Sequence, residues 1–382
     1  MDRKYKISFA MAVLSAALIG CSSNKIKVEE AKPNPLPKLA QAKSLVPVFS
    51  QNVSSTDEAD PLRLRLAVDN GVIFAVDPKG EVAAFRGKQR LWQTRVSKQG
   101  LSAGAEAADG VVIVGNRKGQ LFALEQATGK QLWTAQLSGA LLSPSLIQAG
   151  RVITVANDGN VFAHDLTSGQ EVWAYRLPNA QFSLRGQAAP VSADPRTVLI
   201  ASSNAYIYAL DVLTGVPRMQ RRVAVSSGRS DVQRLIDIDG DPVMAGQFLV
   251  TTSYQGQVTV TDLASQQVVW SEDASSTQRP EVFNNTVFVA QNDGKVTAFN
   301  LTTGEQLWQN DSLLNRRLSN PVILGQDLVV GDLDGVLHLI DPASGQLVGR
   351  SKTDGEVRSL QVIDGQLYVS TRKGALSVWQ NR

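Results

Sequence analysis

Short apolar runs recur along the chain, each followed by a turn and then by a run of alternating apolar and polar residues. Val111–Val114 and Val152–Val155 are two of the β-branched runs, and Asn157-Asp158-Gly159 is one of the turns. This order is typical of β-hairpins, because Asn, Asp and Gly allow the backbone to reverse between antiparallel strands. A Thr-Gly or Ser-Gly turn then leads to a further strand. Each copy of the pattern therefore predicts four short antiparallel strands.

The pattern repeats at intervals of about forty residues, a period typical of blades or solenoid units. The segments Gly119–Trp133, Gly159–Trp173 and Gly294–Trp308 share spacing and residue types. Four strands in that length are typical of a β-propeller blade, so we predict an all-β fold. Each repeated Trp is expected to pack between adjacent blades. This terminal position is occupied in turn by Trp92, Trp133, Trp173, Met219, Trp270, Trp308 and Gly349.

The two ends of the chain predict the number of blades. An eighth copy begins near Val362 and reaches Trp379, where it lacks its fourth strand. Phe49–Val53 repeats the spacing of Trp92–Val96, so it is expected to supply that strand and close the ring. Closure removes two unpaired sheet edges, which would otherwise invite aggregation. We predict that residues 45–382 form a single eight-bladed β-propeller with four-stranded antiparallel blades.

The first residues predict a lipoprotein leader. Basic residues within the first six positions precede the apolar stretch Ile7–Ile19, which leads to Gly20 and Cys21. This order is typical of a bacterial lipoprotein signal peptide, and the stretch is too short to span a membrane. Residues 1–20 are therefore expected to be the signal peptide, with a lipid attached to Cys21. The polar, proline-rich residues 21–44 are predicted to carry that lipid as a flexible tether.

Composition and charge exclude several classes of protein. The chain is 43% apolar and 19% charged, which excludes a disordered chain and a long coiled coil. Its formal charge is +3, of which the first ten residues contribute +2. The remainder carries interspersed charges of both signs, so no nucleic-acid partner is expected. The pairs Arg221-Arg222 and Arg316-Arg317 are interpreted as solvated strand ends.

The candidate chemical groups do not form a catalytic or metal site. His164 and His338 lie in the third and seventh copies, so an eight-bladed ring places them on opposite sides. Asp237 to Asp241 alternates carboxylates, but lacks the Gly and Glu that a calcium loop needs at its sixth and twelfth positions. Asp332 is interpreted as a turn residue, together with Asp334. We therefore expect no catalytic residue, no metal and no cofactor.

Two consecutive connections between blades are longer than the others. Seventeen positions separate Trp173 from Pro190, and twenty-three separate Met219 from Pro242, against ten to thirteen elsewhere. Equivalent connections emerge on one face of a propeller, so the two insertions should be neighbours there. Apolar side chains beside complementary charges are typical of binding hot spots. The predicted partner-binding residues are Phe182, Leu184, Arg185, Leu235, Asp237 and Asp239.

These two segments carry a specific resemblance. Ser-Leu-Arg-Gly-x-x-Ala-Pro at 183–190 and Arg-Leu-x-Asp-x-Asp at 234–239, with the leader and the Trp blades, resemble the BamB family of outer-membrane lipoproteins. The resemblance implies a non-enzymatic scaffold, anchored in the outer membrane and facing the periplasm. It further implies docking on the POTRA domains of BamA, and it allows contact with unfolded β-barrel clients.

The blade repeat also resembles a second family. Its pattern Ala-x-Asp-x-x-x-Gly-x-x-x-Trp is similar to that of quinoprotein dehydrogenases, which carry pyrroloquinoline quinone on an eight-bladed ring. Those enzymes typically use a vicinal disulfide, which a chain with the single cysteine Cys21 cannot form. A quinoprotein-like dehydrogenase and a periplasmic ligand-binding propeller are therefore the alternatives to the scaffold.

Overall fold

The described part of the chain is built from β-strands. The computed structural model describes residues 31–39, 42–53, 64–178, 187–223, 238–254 and 256–382. These residues form eight four-stranded antiparallel sheets arranged as an eight-bladed β-propeller, which confirms the predicted fold class. No helix among them is long and apolar enough to cross a membrane.

The strands of each blade follow one another along the chain. Blade 1 contains β2 (Ala67–Asp69), β3 (Val72–Val76), β4 (Glu81–Arg86) and β5 (Gln89–Arg95), and blade 2 contains β6 (Glu106–Ala108), β7 (Val111–Gly115), β8 (Gln120–Glu125) and β9 (Gln131–Gln136). Blade 3 contains β10 (Leu146–Gln148), β11 (Arg151–Val155), β12 (Asn160–Asp165) and β13 (Glu171–Arg176), and blade 4 contains β14 (Val191–Asp194), β15 (Thr197–Ala201), β16 (Tyr206–Asp211) and β17 (Pro217–Arg222). Blade 5 contains β18 (Val243–Ala245), β19 (Phe248–Thr252), β20 (Gln257–Asp262) and β21 (Gln267–Asp273), and blade 6 contains β22 (Glu281–Phe283), β23 (Thr286–Ala290), β24 (Val296–Asn300) and β25 (Gln306–Asn310). Blade 7 contains β26 (Val322–Leu324), β27 (Asp327–Gly331), β28 (Val336–Ile340) and β29 (Leu347–Lys352). Blade 8 contains β30 (Val357–Ile363), β31 (Gln366–Thr371), β32 (Ala375–Gln380) and β1 (Val46–Asn52).

The strand order within the blades defines the two faces of the ring. The first strands of neighbouring blades contact one another around the central channel, and the fourth strands form the rim. Because the strands alternate in direction, the connections between blades emerge on the same face as the turns between second and third strands. We call this the insertion face, and we call the other the opposite face.

The N-terminal strand closes the ring, as the repeat predicts. β1 pairs with β32 in antiparallel register, with Phe49 opposite Val378 and Asn52 opposite Ala375. Blade 8 therefore combines three strands from the end of the chain with one strand from near its beginning. Leu376 and Val378 of β32 are fully buried, so removal of β1 would expose a strand that the closed ring covers.

The hydrophobic core is divided into eight clusters, one at each interface between neighbouring blades. The repeated Trp lies at five of these interfaces, where its indole N–H donates to a carbonyl of the next blade. Trp133, for example, donates to the carbonyl of Leu166 over 2.9 Å. A Cβ on Gly169 would lie 2.5 Å from the Trp133 ring, so the close stacking requires glycine. The predicted packing role of the repeated Trp is thus confirmed.

Part of the proline-rich N-terminal segment packs on blades 6 and 7. Leu36 contacts the hydrophobic cluster between these blades, and the amide of Asn34 donates to the carbonyl of Leu314 over 3.0 Å. The amide of Lys43 donates to the carbonyl of Val348 over 2.9 Å. Composition predicts that this segment extends away from the domain. The structure differs because these backbone groups and the Leu36 side chain find partners on the ring.

The interpretation of Arg316 as a solvated residue is wrong. Arg316 is only 4% exposed, and its Nε donates to Asp332 over 2.7 Å. It also pairs with Asp334 at the mouth of the same turn. Asp332 accepts hydrogen bonds from the amides of Asp334 and Val336, so its predicted role in the turn is confirmed. Burial of an arginine is tolerated here because carboxylates compensate its charge.

Candidate functional site

The two long connections follow each other around the ring. One joins β13 to β14 and the other joins β17 to β18, so both emerge on the insertion face beside blade 4. Of the six predicted partner-binding residues, only Asp239 belongs to the described part of the chain. The other five lie outside the described residues: Phe182, Leu184, Arg185, Leu235 and Asp237. The predicted lipidation site, Cys21, also lies outside them.

The described ends of the two connections touch each other. The amide of Ala189, at the end of the first, donates to Oδ1 of Asp241, at the end of the second, over 2.7 Å. Ala188 and Ile238 are 1% and 2% exposed and belong to the same hydrophobic cluster. A buried amide that hydrogen-bonds to a carboxylate forms a strong, directional contact. The ends of the two segments are therefore held side by side.

Asp241 also forms an ion pair across the mouth of the channel. Its partner is Arg65, which precedes the first strand of blade 1, whereas Asp241 precedes the first strand of blade 5. Blades 1 and 5 face each other across an eight-bladed ring. The backbone carbonyl of Arg65 accepts a hydrogen bond from Ala105 over 3.0 Å, which ties the same residue to blade 2.

A cavity of about 760 Å³ opens at this mouth on the insertion face. Gln187 and Asp239 line it from the two long connections, while Arg279 and Arg358 line it from blades 6 and 8. A second cavity of about 350 Å³ continues into the channel beside Glu106 and Asp241. The ends of both inserted segments thus form one wall of a polar depression.

Burial raises the pKa of two carboxyl groups in the channel. Removal from water raises the pKa of Glu106 to about 7, an effect that the charge of Arg65 partly opposes. Burial also raises the pKa of Glu281, which begins the first strand of blade 6 as Glu106 begins that of blade 2. Two carboxyl groups on facing blades, each beside an arginine, therefore line the channel.

The two histidines lie apart in blades 3 and 7 and are both buried. His164 stacks on Trp133 with ring centroids 6.3 Å apart, and burial lowers its pKa. His338 Nε2 lies 2.9 Å from Asp332, and burial lowers its pKa despite this carboxylate. In the parts of the chain that the structure covers, no three His, Cys, Asp or Glu residues are grouped to hold a metal ion.

Sequence reasoning missed the residues that organise the channel mouth. In the sequence, Asp241 stands out only as part of a possible metal loop, and no pattern marks its partner Arg65. The two residues are 176 positions apart, so no local spacing links them. The length of the two connections was the available signal, and it correctly indicated the neighbourhood in which Asp241 lies.

Comparison with known proteins gives the class first. The ring is superposable on a quinohemoprotein alcohol dehydrogenase from Comamonas testosteroni, with a TM-score of 0.69 at 14% identity, over 88% of this chain and 76% of that one. At this identity the likeness shows the fold alone. The chain is thus an eight-bladed β-propeller with the same fold as that enzyme.

More specific relatives give the family. The family model for "Outer membrane protein assembly factor BamB" matches residues 69–310 and 292–380. The factor of that name from Pseudomonas aeruginosa is 32% identical over 98% of both chains. The crystal structure of BamB from Moraxella catarrhalis superposes with a TM-score of 0.82 at 34% identity, covering 88% of this chain and all of that one. The chain belongs to the BamB family of outer-membrane protein assembly factors.

Proposed function

We propose that the chain is a non-enzymatic scaffold that docks on the POTRA domains of BamA through its two inserted segments. Residues 1–20 would be removed as a signal peptide, and a lipid on Cys21 would anchor the mature chain in the outer membrane, facing the periplasm. By docking, the scaffold would hold the partner's domains in an arrangement that assists the folding and insertion of β-barrel proteins.

One observation carries this proposal: the hydrogen bond from Ala189 to Asp241 joins the ends of the two segments. Segments held together at their ends can present one continuous surface instead of two independent loops. Preorganisation of this kind lowers the entropy lost on binding. Ala188 and Ile238 pack in one hydrophobic cluster between blades 4 and 5, which also fixes these ends.

The residue types in the segments fit a protein partner. Phe182 and Leu184 supply apolar area in the first segment, and Leu235 supplies it in the second. Arg185 and Asp237 each lie five positions before the proline that opens the next blade, so they would occupy matching positions on neighbouring blades. Apolar anchors with complementary charges are typical of interface hot spots.

A charge reversal tests the docking site. Arg185→Glu should abolish co-purification with BamA, because it places a negative charge beside Asp237 and removes a cation from the interface. The matched control is Lys118→Glu, an exposed residue on a turn of the same face in blade 2. Both variants should unfold at the same temperature as the native protein. Undiminished complex with Arg185→Glu would refute the docking assignment.

The rim supports a second contact, with unfolded β-barrel clients. Several outer strands expose aliphatic residues, such as Leu132 at 47% and Val172 at 43%. Their free edges could add a client strand by β-augmentation. Leu132→Lys together with Val172→Lys should weaken cross-linking to unfolded barrel segments without affecting BamA binding. Unchanged cross-linking would remove the rim from the proposed function.

A further inference from the structure

The N-terminal segment begins its contacts with the ring on the insertion face. The buried guanidinium of Arg316 donates to the carbonyl of Asn34 over 2.9 Å, and Asn34 in turn donates its amide to Leu314. Arg316 is itself fixed by Asp332, in a turn of blade 7 on that same face. The first firmly held residue of the segment therefore lies on the face that carries the two insertions.

The segment continues over the boundary between blades 6 and 7. Leu36 packs on the cluster that includes Trp308 and Leu313. Arg350 of β29 donates from Nη1 to the carbonyl of Pro37 over 2.8 Å. The buried Arg316 and the partly buried Arg350 thus both donate to backbone carbonyls of the segment. A proline-rich chain suits this arrangement, because proline reduces the conformational entropy lost when the segment is fixed.

The segment ends as an added strand on the rim of blade 7. Lys43 forms a parallel bridge with Gly349, donating to the carbonyl of Val348 and accepting from Arg350. Its ammonium group pairs with Asp327 over 2.7 Å. A Cβ on Gly349 would lie 2.4 Å from the Lys43 carbonyl oxygen, so this position cannot carry the Trp of the other copies. Glycine here makes room for the segment.

These contacts shorten the chain available to a lipid anchor. Thirteen positions separate Cys21 from Asn34, whereas twenty-four separate Cys21 from Leu45. A fully extended chain covers at most ~3.5 Å per residue, so the reach falls from about 85 Å to about 45 Å. The shortened chain also leaves from the insertion face, and not from the start of β1 on the opposite face.

We propose that residues 34–39 and 42–45 form a strap that keeps the insertion face turned toward the phospholipid bilayer. The strap would thereby fix where the docking segments stand relative to the membrane. This inference rests on the lipid anchor of the proposed function. It adds an orientation that neither the anchor nor the docking site requires by itself, since a free tether of twenty-four residues would let either face approach the bilayer.

Amide exchange on the full chain tests the strap without reference to the membrane. The amides of Asn34 and Lys43 should exchange slowly, because each donates to a carbonyl of the ring. In the double variant Leu36→Asp, Gly349→Leu both should exchange quickly. Leu132→Asp is the matched control, since it places the same charge on an exposed residue of the rim. Fast exchange of both amides in the native protein would overturn the proposal.

Energy transfer to the bilayer tests the orientation. The lipidated protein would be reconstituted in vesicles of phosphatidylethanolamine and phosphatidylglycerol that carry an acceptor dye on their headgroups. A donor would be attached to Lys373→Cys on the insertion face or to Ala343→Cys on the opposite face. Both residues are exposed, and they lie on turns of the neighbouring blades 8 and 7. Cys21 would be acylated, leaving the introduced thiol as the single labelling site.

Transfer should be severalfold higher from position 373 than from position 343. The difference should shrink when eight Gly and Ser residues are inserted after Lys32, a change that leaves every strap contact intact. Equal transfer from both positions in the native protein would overturn the proposed orientation. Failure of the protein to float with the vesicles would instead contradict the lipid anchor, and the exchange experiment would then decide whether the strap exists.

Discussion

Two interfaces of the ring fill the space between neighbouring blades in different ways. One lies between blades 2 and 3, and the other lies between blades 7 and 8. At the first, Trp133 stacks on Gly169 of the next blade and donates to the carbonyl of Leu166. At the second, blade 8 takes its third and fourth strands from the two ends of the chain, so no turn joins them. Gly349 replaces the Trp, and the backbone of Lys43 fills the space.

The interface between blades 4 and 5 also lacks the pair of a Trp and a glycine of the next blade. Gln266 of blade 5 stands four positions after Asp262, where Gly169 stands four positions after Asp165 in blade 3. At the equivalent glycines a Cβ would collide with a Trp ring, and the repeat pairs Gln266 with Met219. Methionine is flexible and adapts to irregular space. The Trp therefore depends on a glycine in the following blade.

Deletion of Pro47–Val53 should destabilise the ring most. The deletion removes the strand that pairs with β32 and leaves two open sheet edges. We expect loss of cooperative thermal unfolding and aggregation on size-exclusion chromatography. A chain that lacks residues 22–32 is the control and should unfold like the native protein. An unchanged melting curve after the strand deletion would contradict closure by β1.

Trp133→Ala tests the regular interface. The side chain is 8% exposed and donates a hydrogen bond, so the variant should lose about 3–5 kcal/mol of unfolding free energy. The neighbouring Leu132 is 47% exposed on the same strand, and Leu132→Ala should cost less than about 1 kcal/mol. Denaturant unfolding measures both. Equal losses would mean that the Trp does not hold the blades together.

Glu106→Gln tests how the buried charge of Glu106 in the channel affects stability. Its pKa of about 7 in the folded protein lies above the ordinary 4.5, so the folded state binds the proton more tightly. Stability should therefore fall as the pH rises from about 4.5 to 7, and the Gln variant should escape that loss. We expect Glu106→Gln to be more stable by about 3 kcal/mol at pH 8, a gain that disappears below pH 4.5.

Denaturant unfolding at several pH values measures this difference. Glu305→Gln, an exposed residue of blade 6, is the control and should show no comparable gain at pH 8. A Glu106→Gln variant with the same pH profile as the native protein would contradict the burial of the Glu106 charge.

Met219→Trp tests the packing between blades 4 and 5. The larger ring should meet the Cβ of Gln266 and cost about 1–3 kcal/mol, as overpacking usually does. Adding Gln266→Gly should recover most of that loss, because it restores the pairing of the other copies. A double-mutant cycle measures the coupling, and additive effects would mean that the two positions do not interact.

The fold could be predicted from the sequence because each blade repeats the same local signals. Trp173 and its equivalents mark the blades, and the spacing of Phe49 reveals the strand that closes the ring. Arg316 could not be predicted in the same way, because its burial depends on Asp332 and on the carbonyl of Asn34, which is 282 positions away. The role of Gly349 was hidden for the same reason, since its neighbour Lys43 lies at the other end of the chain.

The candidate site was predictable only in part. The lengths of the two connections could be counted, and their neighbourhood beside blade 4 followed from the repeat. The ion pair between Arg65 and Asp241 could not be derived, because it joins opposite blades across the channel. A single sequence contains no local pattern for such a pair.

Replacement of the two inserted segments tests whether they bind BamA. Residues 179–186 and 224–237 would each be replaced by a short Gly/Ser linker, separately and together, and binding of the soluble protein to purified POTRA domains of BamA would be measured by titration calorimetry. The account predicts that either replacement abolishes measurable binding while the thermal unfolding of the ring is unchanged. Native affinity in the double replacement would contradict it.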